Sequence, residues 1–218
     1  MMTDLIFPEL SLPEEIVLDL NRQNPWWQNK PLPVLPPFRR WPYNKLRERL
    51  DHPIAPIIVI RGPRQIGKTT LQLQLIQSLL EQGVAQKRIF RAQFDDLPSL
   101  ARAKFAEPIL RLVDWFEKAI LRATLNESAH RHEPVFLFFD EVQNLAGWDV
   151  QLKSLVDHAT VRVMVTGSSA LRIEMGRDSL AGRIHSIEVG PLRLNEIGRC
   201  AASETSSRVK KRTAGRTG

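Results

Sequence analysis

Apolar residues follow two rhythms along this chain. Runs that are continuous, β-branched or aromatic recur at 57–61, 87–96, 134–141, 161–165 and 183–189, and each reads as a strand. The run VFLFF before Asp140 has no polar alternation, as in a strand covered on both faces in the middle of a parallel sheet. Between these runs the spacing becomes helical. Leu71, Leu75 and Leu79 recur every four residues, with Gly83 as a C-cap candidate. Residues 98–128 read as helix with a possible break at Pro108, 149–159 as a short helix, and 171–180 as helical or irregular. Alternating strands and helices predict an α/β fold.

The first part of the chain reads differently. Ile16, Val17 and Leu20 share a weak helical face behind Glu14 and Glu15. The stretch 24–42, NPWWQNKPLPVLPPFRRWP, is too rich in proline for regular helix and favours an extended path. Its tryptophans, Trp26, Trp27 and Trp41, carry too much apolar area to leave in water, so the arm is expected to pack them on the domain body or a partner. Arg39 and Arg40 beside them resemble a base-stacking surface, although a solvated pair is the simpler expectation. A short amphipathic helix over 43–50 then leads into the first strand. The organisation expected is an arm over 1–52, a domain over 53–198 and a basic, disordered tail over 199–218.

Candidate chemistry lies where two strands end. Gly62 to Thr69 reads GPRQIGKT, matching G-x-x-x-x-G-K-[ST] between a strand and a helix, the context this phosphate-binding loop requires. Glycines let backbone N–H groups converge on a polyphosphate, Lys68 adds a mobile charge, and the helix N-terminus points its positive end at the same place. The loop Gly62, Pro63, Arg64, Gln65, Ile66, Gly67, Lys68, Thr69 and Thr70 is therefore the candidate nucleotide site, with Thr69 directed at Mg²⁺. Asp140 and Glu141 end the VFLFF strand, where two acids are costly unless a cation or hydrogen bonds hold them. Asp140 is placed to hold a hydrated Mg²⁺ opposite Thr69. Glu141, pointing elsewhere because strand neighbours alternate, would activate a water.

Composition narrows the class. The chain of 218 residues is 43% hydrophobic and 25% charged, as in soluble globular proteins. One cysteine, Cys200, leaves no internal disulfide, and the absence of a signal-like start or long apolar run gives the expectation of a cytoplasmic protein with no membrane span. The net charge of +7 includes five positive charges within 208–218, which holds no acid, so the rest of the chain carries +2. The basic character thus belongs to the tail, and nucleic acid remains a weakly supported partner.

Together GPRQIGKTT, FLFFDEVQNLAGW and VTGSSALRIEMGRDSLAGRIHSIEVGPLRLNEI resemble the AAA-type P-loop ATPase domain of a bacterial and archaeal family. Its members add a C-terminal domain of the DUF4143 type. NPWW extends the likeness to about residues 20–198. The resemblance implies a three-layer sandwich around a mainly parallel five-stranded sheet, ATP with Mg²⁺ as cofactors, and hydrolysis as the activity. It also implies a polar sensor at Thr166 or Ser168 and an arginine, Arg183, that reaches phosphate in its own or a neighbouring subunit. Arg64 and Arg177 are lesser candidates. The family continues beyond PLRLNEI where this sequence has a short basic end, which reads as a truncated member. A binding switch with negligible turnover, a nucleic-acid-stimulated ATPase, and association through the Trp/Pro-rich arm stay open.

Overall fold

The computed structural model describes residues 12–168, 180–194 and 196–198. The expected tail, Arg177 and most of 171–180 lie outside them. Five strands, β1 (Ile57–Arg61), β2 (Ile89–Gln93), β3 (Phe136–Asp140), β4 (Arg162–Gly167) and β5 (Ile184–Glu188), form one sheet in the order β2-β3-β4-β1-β5. Every pairing is parallel. The strand positions expected from sequence hold, with ends shifted by a few residues. The helices are α1 (Glu14–Gln23), α2 (Tyr43–Asp51), α3 (Lys68–Glu81), α4 (Pro98–Ala103), α5 (Pro108–Phe116), α6 (Leu125–His130) and α7 (Trp148–His158).

The helical stretch expected over 98–128, with its possible break at Pro108, is three α-helices. Pro108 opens α5 rather than kinking a longer helix, and Arg122, with φ of 57°, ends the π-helical turn Glu117–Leu121 that follows. A capping box then starts α6, with the Thr124 hydroxyl accepting from the Glu127 N–H at 3.1 Å.

Side-chain alternation divides the core into two layers. Ile57, Val59, Phe90, Leu137, Phe139, Val163 and Val165 face one layer with α1, α5 and α7. Ile58, Ile60, Ile89, Phe136, Phe138 and Met164 face the other with α2 and α3. The same alternation carries Arg91, Asp140 and Thr166 onto the α3 face, so three polar groups gather at one corner of an apolar layer. That corner is the C-terminal edge of the sheet, where open α/β sheets bind ligands.

The N-terminal arm is part of this body. Strand β2 is a sheet edge, whose backbone groups would lie open, and side chains of the arm supply the missing ladder. Asn24 Oδ1 accepts from the Arg91 N–H at 2.7 Å, and its Nδ2 donates to the Arg91 carbonyl at 2.8 Å. Gln23 pairs likewise with the Gln93 N–H and carbonyl, at 2.7 and 3.2 Å. The Trp26 and Trp27 indoles both donate to the Ile89 carbonyl, at 3.1 and 2.9 Å. Trp26 is buried, and Trp27 stacks on Phe90 and Phe116. Trp41 is the exception, 36% exposed beneath the guanidinium of Arg193. Asn24→Ala strands both Arg91 backbone groups and is expected to cost about 2–4 kcal/mol, read as a lower urea midpoint.

Candidate functional site

The loop after β1 owes its shape to close approach. A Cβ at Gly62 would lie 2.1 Å from the Val189 carbonyl oxygen and 2.5 Å from Ile66 Cδ1, so only glycine fits. Gln65 (φ 61°) and Gly67 (φ 88°) turn the chain left-handed and aim the first turn of α3 back over the sheet. Lys68 is buried there, its Nζ donating to the Gly62 and Pro63 carbonyls at 3.1 and 2.9 Å. It also faces Glu141 Oε1 at 3.4 Å.

Strand β4 lies between β1 and β3, and its Thr166 holds the Asp140–Glu141 pair at the tip of β3. The Thr69 hydroxyl donates to Asp140 Oδ2 at 2.8 Å, while the Thr166 hydroxyl binds Asp140 Oδ1 and accepts from the Glu141 N–H at 3.1 Å. Asp140 is fully buried. Glu141 departs from the expected reason for its direction. It leaves the strand in the left-handed region, φ 56° and ψ 47°, and this turn, rather than strand alternation, swings its carboxylate toward Lys68. Gln143 Nε2 donates to Glu141 Oε2 at 2.5 Å, and Gln143 Oε1 accepts from the Ser168 N–H at 3.4 Å. Thr69, Asp140, Thr166, Glu141, Lys68 and Ser168 thus meet in one network. Thr70 lies beside it on α3, and Pro63, Arg64 and Gln65 are exposed on the loop.

Arg183 is not brought there. It immediately precedes β5, and its carbonyl accepts from the Ile57 N–H at 3.1 Å, at the N-terminal edge of the sheet. The length of β1, about 13 Å, separates it from the loop. Its guanidinium pairs with Asp157 at 2.5 Å. The expectation that it reaches phosphate in its own chain is therefore corrected.

Two arginines outside the motifs are part of the site. Arg91 is buried, with Nη2 3.2 Å from Asp140 Oδ2 and 2.5 Å from Gln93 Oε1, and Nε 3.1 Å from Gln72 Oε1. Burial pushes its guanidinium below its ordinary value, while the charge and hydrogen bond of Asp140 push it back up. Its trace in the sequence is a charge at an inward position of FRAQF.

Arg40 corrects the expectation of a solvated pair. It donates to the Ile66 carbonyl of the loop at 2.7 Å, to the Gly190 carbonyl at 2.9 Å, and to Glu196 at 3.0 Å. Arg39 lies over the Tyr43 ring at 4.3 Å. Burial raises the Glu196 carboxyl, but Arg40 and the N–H groups of Arg193 and Trp41 outweigh it and hold the group down at about 2. Its native value is below the unfolded 4.5, so this clasp stabilises the fold above pH 4.5 and is lost as pH falls toward 2. Glu196→Gln is expected to flatten the acid limb of a melting-temperature profile.

Beside the loop opens a cleft of about 450 Å³, walled by Pro36 and Phe38 of the arm, Ile66, Leu71, Pro191 and Leu192. Gln74 pins its arm wall by donating to the Pro36 and Phe38 carbonyls at 2.8 and 2.9 Å. Another cleft, about 660 Å³ and chiefly apolar around Pro53, Ile54, Pro134 and Val161, lies at the other edge of the sheet, away from these groups.

Among the described residues no cluster of three or more His, Cys, Asp or Glu could hold a metal ion. No helix there is long and apolar enough to cross a membrane.

Comparison with known proteins bears on the family and the fold. Residues 55–198 match the family model described as AAA domain. An uncharacterized protein of Methanocaldococcus jannaschii is 29% identical over 153 residues, covering 67% of this chain and 29% of that protein. One of Haemophilus influenzae is 26% identical over 155 residues, covering 70% and 36%. The chain thus spans about a third of the curated relatives it matches. Among solved structures, the closed state of Hsp104 with ATPγS and FITC casein superposes with a TM-score of 0.55 at 18% identity, covering 85% of this chain and 31% of that one. With the phosphate-loop sequence, the parallel sheet with β4 inserted between β1 and β3, and a family match across most of the chain, this protein belongs to the AAA-domain family of nucleotide-binding P-loop ATPases.

Proposed function

We propose that this chain binds ATP with Mg²⁺ and hydrolyses it, in a cytoplasmic setting. The observation that carries the reading is the convergence of Lys68 with Glu141 at 3.4 Å and Thr69 with Asp140 at 2.8 Å, from two motifs 71 residues apart. The donors fit Mg²⁺, a hard cation that takes one or two protein oxygens and completes its shell with water and phosphate. When bound it would offset phosphate charge.

The remaining steps fall to the protein. Backbone N–H groups of Gly62–Thr70 and the N-terminus of α3 cradle the phosphates. Lys68 turns from the loop carbonyls to the β and γ phosphates. Asp140 orients the Thr69 hydroxyl. Glu141, held by Gln143, accepts the proton of the attacking water. Thr166 and Ser168, both linked to the Glu141 network, register the terminal phosphate. The cleft of Pro36 and Phe38 takes the base between arm and loop. Arg183 and Asp157 face away, so any phosphate contact by Arg183 falls to a neighbouring chain in an oligomer.

Arg40 holds the arm and residues 190–196 against the loop. Arg40→Ala is therefore expected to weaken ATP binding by about tenfold, ~1.4 kcal/mol, while leaving inorganic triphosphate nearly unaffected, as measured by calorimetry. The proposal itself is tested by single-turnover hydrolysis of radiolabelled ATP by the purified chain. Mg²⁺-dependent phosphate release supports it. Saturable binding without release favours the switch reading.

A further inference from the structure

Arg91 takes no part in the reaction as proposed, yet its position is fixed from four sides. Asn24 of the arm clamps its backbone, Gln93 and Gln72 accept from its guanidinium, and Asp140 receives Nη2 on the same oxygen that Thr69 uses. Gln72 gives its carbonyl oxygen to Arg91, and its Nε2 is buried without a hydrogen-bond partner. An unmet donor in an apolar layer is costly, so the placement of this cation is maintained at a cost.

Charge gives the reason. Near the loop, Asp140 and Glu141 are balanced by Arg91 and Lys68, at 3.2 and 3.4 Å. A divalent cation entering alone meets two carboxylates that are each already paired with a positive group, and Mg²⁺ dehydrates reluctantly for so few protein oxygens. Arginine keeps its charge even when buried, whereas a lysine there would shed its proton readily.

We propose that Arg91 is a positioning residue for Asp140: the resting counter-ion that orients this carboxylate toward Thr69 and keeps the site closed to free divalent metal until a nucleotide brings its own negative charge. The inference rests on the reading of Thr69 and Asp140 as the Mg²⁺ pair. Metal and nucleotide would then enter together, and the arm, through Asn24, would belong to the metal site as well as to the sheet edge.

Mn²⁺ binding to the nucleotide-free full chain, followed by electron paramagnetic resonance, tests this without reference to activity. Wild type is expected to bind Mn²⁺ weakly, and Arg91→Met about tenfold or more tightly, because a like charge beside the site has gone. Adding Asp140→Asn is expected to abolish the gain. Arg91→Gln, equally neutral, serves should the methionine variant fail to fold, with circular dichroism as the check. Unchanged Mn²⁺ affinity in a folded neutral variant, or a gain that survives Asp140→Asn, overturns the proposal. So does failure of both variants to fold, which assigns Arg91 to the core alone. The parent reading has its own arm. With ATP present, wild type should hold Mn²⁺ more tightly than ATP does by itself, and Asp140→Asn should not. Failure there removes the metal pair rather than the effect of Arg91.

Discussion

Glu141→Gln is expected to keep ATP bound within a few-fold of wild type while lowering turnover by about 10²–10⁴. The substitution preserves size and a hydrogen-bonding end, so the left-handed turn at Glu141 and its contact with Gln143 need not change. What it removes is the acceptor for the water's proton. It also removes the charge facing Lys68 at 3.4 Å, which frees the ammonium and should, if anything, tighten phosphate binding slightly. Steady-state turnover paired with calorimetric titration separates the two effects. Turnover that survives in the glutamine variant assigns the base to another residue.

Lys68→Ala should act in the opposite way, reducing ATP affinity by about 10²-fold or more, ~2.7 kcal/mol, because phosphate loses its one mobile buried cation. The loop should hold its fold, since its turns depend on Gly62 and Gly67 and on the Arg40 bond to Ile66 at 2.7 Å, even though the Gly62 and Pro63 carbonyls lose the Lys68 donor. Unfolding should therefore change little, although Glu141 loses its partner. Titration calorimetry against both nucleotide and inorganic triphosphate reads the loss. An equal loss for both ligands identifies the phosphate end as the place affected.

The sheet was legible because VFLFF, IIVI and VRVMV carry their burial in their own composition. The Gly62–Thr69 motif likewise specifies its turn through residues that few other conformations require. The Asp140–Thr69 contact followed from the pairing of the two motifs. The direction of Glu141 was expected from strand alternation but is set by a left-handed residue, which leaves no mark in an acidic dipeptide. Long-range polar contacts stayed hidden. Nothing local in NPWW says that Asn24 will complete a strand edge 67 residues away, and nothing in PFRRW says which arginine will be buried against Glu196, 156 residues on. Arg183 misled in the reverse sense. Its position before a strand was visible, but the end of the sheet that this strand start occupies depends on all-parallel pairing.

The whole account depends on a triphosphate being gripped between α3 and the β3 tip, and titration of ATP into the purified chain, in Mg²⁺ and again in EDTA, tests that most directly. One saturable site per chain, tighter in Mg²⁺ and weakened by about 10²-fold or more in Lys68→Ala, is the expected result. Absence of saturable binding in both buffers, or binding indifferent to Lys68, would contradict it.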